Sequence, residues 1–424
     1  MNKNNKLHYA WVIMMACISM KIGEGSINCM LTNFVTPIVK ELGCEVSQLT
    51  LAMSIDAIGM ACFYMIAAKL ITTKRVGIVM GIASVLQVIG LGLMSTYRSV
   101  YPFYFSGALI GSAAAFTGFV ATPVLISMWF KKKAGTVLGT VVAVSNASSV
   151  IMNLLSARFI DAYGWRNAYL ILAAIACVFM VPATFGFLKS PAEAGVEPYG
   201  AEEGDAPVGA ISSSGAGTWG LTRKEAFRKA AFWIAWASCM CISLGSGCPG
   251  YLANFATMEL NQSIYFGSVT SVCMSLGCVA CSVIIGRIND RYGVRWGFVW
   301  GVAFSALGFA TEMISIANPN LAIPGALLIG LGGSMYAVQC PLLAKSVLGE
   351  KHYASIWSIM MIALSGIGGG LYFTWGKFYD NTGTYKGAFL LAIGLYVLSL
   401  ILGFLAVSLS EKYKPKKNGT AAAV

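Results

Sequence analysis

Lys21, Glu24 and Asn28 occupy positions i, i+3 and i+7 of one apolar run, so a helix would carry all three on one face. A second apolar run, entered from the opposite side near Gln48, carries Asp56 about two turns in. A charge held in hydrocarbon costs roughly 2.5–3.5 kcal/mol even on lenient insertion scales, so such residues face a cavity and pair. Lys21 falls near the middle of its run, which places Glu24 and Asp56 at comparable depth. The chemistry open to this set is anion binding and proton transfer. Lys21 could hold a substrate carboxylate or a partner carboxylate, and whichever of Glu24 and Asp56 is left without a cation could carry a proton. The same residues could also form a static ion pair that only pins two helices together.

Further polar residues in apolar runs extend the candidate substrate site. Asn146, Ser149 and Asn153 share a helical face. Tyr251 and Asn254 follow Gly245, Gly247, Pro249 and Gly250, which would break a helix and free backbone groups toward a cavity. Tyr336 and Gln339 precede Pro341 and could line a facing wall. Glu312 is placed near the outer end of its run, within reach of water, and Arg158 likewise beside Asp161. Gly366 to Gly370 lie in an apolar run with no Lys-Ser/Thr after them, which suits close packing or a hinge and not a phosphate loop.

These residues are positioned by apolar segments that make up most of the chain. The composition is 57% hydrophobic and 11% charged, with a mean hydropathy of +0.72, which excludes a soluble globular domain. Twelve spans of about 20 residues are expected at 8–36, 48–70, 76–95, 101–127, 136–158, 168–188, 229–256, 264–286, 296–316, 321–345, 355–377 and 387–409. The fold class is therefore an all-α polytopic membrane protein. Lysine and arginine concentrate on one side of this arrangement, the exceptions being Lys21, Lys40, Arg98, Arg158, Arg166, Lys377 and Lys386. That bias places both termini in the cytoplasm of a multi-pass cell-membrane protein. It also accounts for the net charge of +12 as a topology and lipid-surface signal, with no call for nucleic acid.

The densest charge lies between two spans, in the stretch Gly286 to Arg295 (GRINDRYGVR). Hydrocarbon cannot hold this cluster, so it reads as a short aqueous turn. The pattern resembles the loop joining the second and third helices of each half in the major facilitator superfamily. The resemblance implies that Asp290 caps or pairs across a helix end while Arg287 and Arg291 hold a cytoplasmic gate shut. The first-half counterpart, Ala67 to Arg75, lacks the Gly and Asp of the pattern and leaves Lys69, Lys74 and Arg75 for that task. The two halves also repeat: Phe159, Asp161 and Gly164 recur as Phe378, Asp380 and Gly383, and Lys132 as Lys351, all at one offset. The family's architecture implies two six-helix repeats, 1–188 and 229–410, joined by a linker at 189–228 and followed by a tail at 411–424. Within the linker, 193–217 reads as flexible and Leu221 to Ala231 as a basic surface helix.

Trp129-Phe130-Lys131-Lys132-Lys133-Ala134-Gly135, with Gly139 and Ser145 to Ser149, resembles the fourth loop and fifth helix of monocarboxylate and oxalate–formate transporters. His8-Tyr9-Ala10-Trp11 and Gly164-Trp165-Arg166 are similar to the same branch. The oxalate–formate type carries basic residues in the eighth and eleventh helices, whereas 264–285 and 356–376 contain none here. A small monocarboxylate fits that pattern better than a dianion.

The twelve cysteines are scattered through the spans, and Cys278 and Cys281 lack the further ligands a metal would need. His8 and His352 are the only histidines, and neither a Walker A sequence nor a catalytic triad is present. No cofactor, metal or enzymatic activity is expected. The expected protein is a monomeric secondary transporter of a small organic anion, coupled to protons and working by alternating access. An organic anion exchanger, or an efflux pump for a larger hydrophobic or cationic substrate, is the alternative, and a membrane sensor signalling through 189–228 the third.

Overall fold

The computed structural model describes residues 8–31, 33–44, 46–73, 75–200, 219–370, 375 and 382–413. Lys3, Lys6, Lys74, Lys377, Phe378, Asp380, Lys414, Lys416 and Lys417 lie outside the described residues, as does 201–218 of the linker.

The first half contains α1 (Tyr9–Asn28), α2 (Val35–Leu42), α3 (Val46–Thr73), α4 (Val76–Leu93), α5 (Tyr101–Ala114), α6 (Ala121–Trp129) and α7 (Ala134–Pro182). The linker contributes the short α8 (Pro191–Ala194) and α9 (Arg223–Phe227). The second half contains α10 (Ala230–Gly245), α11 (Leu252–Met258), α12 (Ile264–Tyr292), α13 (Val294–Ser315), α14 (Ala322–Gly333), α15 (Cys340–Leu348), α16 (Tyr353–Gly370) and α17 (Lys386–Glu411). Helix α7 is two spans joined at Gly164, whose φ of 76° and ψ of 161° are not helical. Gly383, its counterpart in the second half, has a φ of 69°. Both positions need a backbone conformation that side-chain-bearing residues rarely adopt.

Several expected spans are broken, and prolines explain most of the breaks. The run expected at 8–36 ends as a helix at Asn28, and Pro37 falls in the first turn of α2, where its missing N–H is harmless. The run expected at 101–127 divides into α5 and α6, with Ala115–Val120 between them. Pro123 cannot donate to the carbonyl of Phe119, and the helix restarts just before it. Pro341 acts similarly: Met335–Gln339 widens into a π-helical turn between α14 and α15. Pro249 lies in the tight turn Cys248–Tyr251 that separates α10 from α11.

The linker is shorter in helix than the sequence suggests. The surface helix expected over Leu221–Ala231 is confined to Arg223–Phe227, capped reciprocally by Thr222 and Glu225, because Lys229 is extended and Ala230 already begins the next span. Both described ends of the linker are stitched to loops. Tyr199 N donates to Trp129 O at 2.8 Å and Tyr199 O accepts from Lys131 N at 3.0 Å, while Trp219 O accepts from Glu350 N at 2.9 Å. The rings of His8, Trp11 and Phe130 gather around Tyr199 at centroid distances of 5.6 to 5.9 Å. At the other end of the bundle, Glu41 accepts from Trp165 and Arg166 and so ties α2 to the turn at Gly164. The Arg166 and then the Trp165 hydrogen bonds hold its carboxyl below the ordinary value.

Glu312 departs from expectation. It is 1% exposed, and neither carboxylate oxygen has a hydrogen-bond partner among the described residues. The seam between α13 and α14 is closed by glycines, and a Cβ on Gly325 would lie 2.9 Å from Glu312 Oε1. Backbone contact at this seam excludes the water that the end of the span was expected to supply.

Candidate functional site

A cavity of about 400 Å³ opens between the helices of the first half. Lys21, Glu24 and Asn28 of α1, Asp56 of α3, Gln87 of α4 and Asn146 of α7 all contribute to its wall. Lys21 is paired with Glu24, the i, i+3 geometry bringing ammonium and carboxylate together on one turn, and both side chains are about nine-tenths buried. Lys21 Nζ also donates to the backbone oxygen of Thr117 at 3.1 Å. That carbonyl is available because α5 ends at Ala114 and the next residues are unwound. Gln87 Nε2 donates to Thr117 Oγ1 at 2.8 Å, so one unwound residue receives both a charged and a neutral donor.

Asp56 differs from Glu24. It faces the same cavity, is half-buried, and has no hydrogen-bond or ion-pair partner among the described residues. Asn28 is exposed and donates to Ser149 Oγ at 3.3 Å. Asn146 reaches Ser282 Oγ of the second half at 3.4 Å. Thr122, Ser145 and Ser149 add hydroxyls, and the rest of the wall is apolar, with Met30, Met53, Met60, Ile110, Phe119 and Leu138 among its residues.

The second-half candidates do not join this site. Among the described residues only Ala337 represents that half in the wall. Gln339 is fully buried, accepts from Asn289 Nδ2 at 2.7 Å and donates to Val294 O at 2.7 Å, so its amide is consumed in joining α12, α13 and the π-helical turn. Tyr336 packs edge-on against Phe119 at a centroid distance of 5.4 Å and forms part of the contact between halves. Tyr251 packs toward Tyr385 at 6.3 Å, and Asn254 is exposed on α11. Tyr251, Asn254, Tyr336 and Gln339 thus lie outside the wall of this cavity in the conformation described. Gln87 and Thr117 were missed; a glutamine in the middle of an apolar run was the available signal.

The halves meet tightly on the side of the lysine-rich loops, here called the basic end. Asp290 accepts from the backbone N–H groups of Gly135 at 2.8 Å and Thr136 at 2.6 Å, capping the start of α7 across the two halves. A Cβ on Gly139 would lie 2.0 Å from Ser282 O, so α7 and α12 touch through their backbones. Lys131 pairs with Glu350, which also lies 3.2 Å from Lys345. Burial alone would raise the Glu350 carboxyl, but Lys345 and Lys131 together hold it below the ordinary value. Nearer the cavity, Trp357 Nε1 donates at 3.1 Å to Phe119 O, the carbonyl that Pro123 leaves free, and Tyr64 Oη is 3.3 Å from Ser365 Oγ. Arg287 and Arg291 are exposed and pair with no acid among the described residues.

Long apolar helices in two halves, closed on each other at one end around a polar cavity, define a polytopic membrane transporter. The sequence matches the family model described as Major Facilitator Superfamily over residues 12–267 and again over 245–423. The chain belongs to the Major Facilitator Superfamily, and its fold is the twelve-helix arrangement of two six-helix repeats. No curated protein matches the sequence. Among solved structures, the chain is similar to the E. coli fucose:proton symporter FucP, with 14% identity, a TM-score of 0.70, and coverage of 94% of this chain and 99% of that one. The proton:xylose symporter XylE is 12% identical at a TM-score of 0.70, with 96% of each chain covered. A bacterial homologue of the iron transporter ferroportin is 14% identical at a TM-score of 0.67, covering 95% of this chain and all of that one. At these identities the likeness speaks for the fold.

Proposed function

We propose that this protein is a proton-coupled secondary transporter of a small monocarboxylate-like anion, working by alternating access as a monomer in the cell membrane, with both termini cytoplasmic. The observation that carries the reading is the division of charge in the cavity. Among the described residues Lys21 is the one basic side chain in the wall, Glu24 occupies it, and Asp56 faces the same space without a cation. A substrate carboxylate would take over Lys21 from Glu24, and the displaced charge would be compensated by protons on the acids. Asp56, having no cation of its own, is the carrier in this scheme. The basic end is the cytoplasmic gate, with Asp290 on the start of α7 and Lys131 on Glu350, so the conformation described is open away from the cytoplasm.

Counterflow in proteoliposomes tests this directly. Accumulation of a monocarboxylate that requires an inside-alkaline gradient and is lost in Lys21→Ala supports the reading. Failure of lactate, pyruvate, formate and longer acids in sealed vesicles containing folded protein sinks it.

A second reading has its own observation. The Lys21–Glu24 pair is internally neutral, so the unpaired Asp56 and the methionine-rich wall also suit a larger hydrophobic or cationic substrate. Competition by lipophilic cations would then replace competition by monocarboxylates.

A further inference from the structure

Where α12 ends and α13 begins, Ile288, Tyr292, Trp296, Val299, Trp300 and Phe304 line an apolar groove of about 420 Å³. Tyr292 and Trp296 are each 59% exposed. Trp300 is fixed by a hydrogen bond from its Nε1 to Leu331 O at 3.1 Å and stacks near Phe304 at 4.2 Å. From Trp296 to Phe304 the helix rises about 12 Å, so the groove runs from the bilayer surface into hydrocarbon.

The mouth of this groove is cationic. Arg287 and Arg291 are one helical turn apart, exposed, and without hydrogen-bond or ion-pair partners among the described residues. The Arg291 guanidinium lies 5.3 Å from the centroid of the Tyr292 ring, at the edge of the groove itself. Arg295, by contrast, is engaged by Ser408 at 2.9 Å and Glu411 at 3.0 Å. Asp290, the one acid between these arginines, spends both carboxylate oxygens on Gly135 N and Thr136 N of the other half. Arg291 thus stands at the edge of an aromatic-walled slot that points into the membrane, with Arg287 one turn earlier on α12, and neither has a partner among the described residues.

We propose that this groove binds one anionic phospholipid, with its phosphate between Arg287 and Arg291 and an acyl chain along Trp296, Trp300 and Phe304. A zwitterionic lipid would bring its own cation to a mouth that already has two, and a free phosphate would leave the groove empty. The site is linked to conformation. While Asp290 is held by Gly135 and Thr136, no carboxylate among the described residues pairs with Arg287, three residues earlier on α12. Separation of the halves would free Asp290 to pair with that arginine and displace the headgroup. Anionic lipid therefore favours the conformation closed at the basic end.

The test is competition between phosphatidylglycerol and phosphatidylcholine of matched chains for the purified full chain in detergent, with bound lipid counted by native mass spectrometry. One retained phosphatidylglycerol, preferred on the order of tenfold, is expected from two arginines at a membrane surface. Arg287→Gln with Arg291→Gln abolishes the preference, and Trp296→Ala lowers retention of both lipids. Arg223→Gln with Lys224→Gln, a basic pair elsewhere on the same side, leaves the preference intact. An undiminished preference in the Arg287/Arg291 variant overturns the proposal. So does an equal loss in the Arg223/Lys224 variant, which would mean diffuse surface attraction.

Discussion

Lys131 and Glu350 stand 219 positions apart, the interval that also separates Gly164 from Gly383, and their side chains form an ion pair between the two halves. Equivalent places in the two repeats thus carry opposite charges, and the repeat axis brings them together at the basic end. Lys345 joins from the same side as Glu350, making one acid serve two cations.

Removing that acid should open the basic end. Glu350→Gln leaves Lys131 and Lys345 facing each other, and the closed conformation is expected to lose roughly 1–3 kcal/mol. Labelling of a cysteine placed on the cavity side of Trp357 from the basic end should rise accordingly. Exchanging the charges, Lys131→Glu with Glu350→Lys, should recover part of the closure, and equal labelling in all three proteins would rule out a role for the pair.

The same contact has a pH signature. Lys345 and Lys131 hold the Glu350 carboxyl below its ordinary value of 4.5 against the opposing effect of burial. Its contribution to closure is therefore complete above that value and is lost as pH falls through the depressed one. Basic-end labelling should be flat at neutral pH and climb only under acidic conditions, while Glu350→Gln should be insensitive throughout.

Asp56 and Lys21 should separate coupling from binding. Asp56→Asn is expected to keep substrate exchange within a few-fold while losing accumulation driven by a pH gradient. Lys21→Ala should lose exchange by tenfold or more, consistent with removing a charge-assisted contact worth about 1.5–3 kcal/mol. Gradient-driven accumulation surviving in Asp56→Asn would reassign the proton to Glu24.

The break before Pro123 can be tested through its freed carbonyl. Trp357→Phe removes the donor to Phe119 O and should destabilise the closed form by about 1 kcal/mol without reducing folded yield. Pro123→Ala lets the helix continue through Thr117, withdrawing the carbonyl that Lys21 uses, and transport should fall further than in Trp357→Phe. Parallel transport and thermal-stability assays on both variants separate the two effects.

Glu312 offers a stability test away from the cavity. Glu312→Gln preserves shape and removes a carboxylate that has no partner among the described residues, so thermal stability should be equal or higher. Glu312→Lys places a longer cation against Gly325 and should reduce folded yield severely. A large loss of stability in Glu312→Gln would reveal a partner for the carboxylate beyond the described residues.

The sequence by itself determined the membrane class, the two-half organisation and the face of α1 that carries Lys21, Glu24 and Asn28. Hydrocarbon penalises charge so strongly that a few polar residues in apolar runs identify themselves, and helical spacing assigns them to a face. The sequence also held Pro123 and Pro341, but not what their freed backbone groups would meet. Tertiary structure decided that Glu24, and not Asp56, takes Lys21, because pairing depends on how α1, α3 and the unwound residues after α5 approach one another. It also decided that Gln339 bonds to Asn289 and Val294 and that Tyr336 packs on Phe119, contacts no spacing in the sequence gives. Burial of Glu312 was hidden for the same reason: position along a span gives depth, whereas access to water depends on Gly325, 13 residues away in sequence on the next helix but in contact in space.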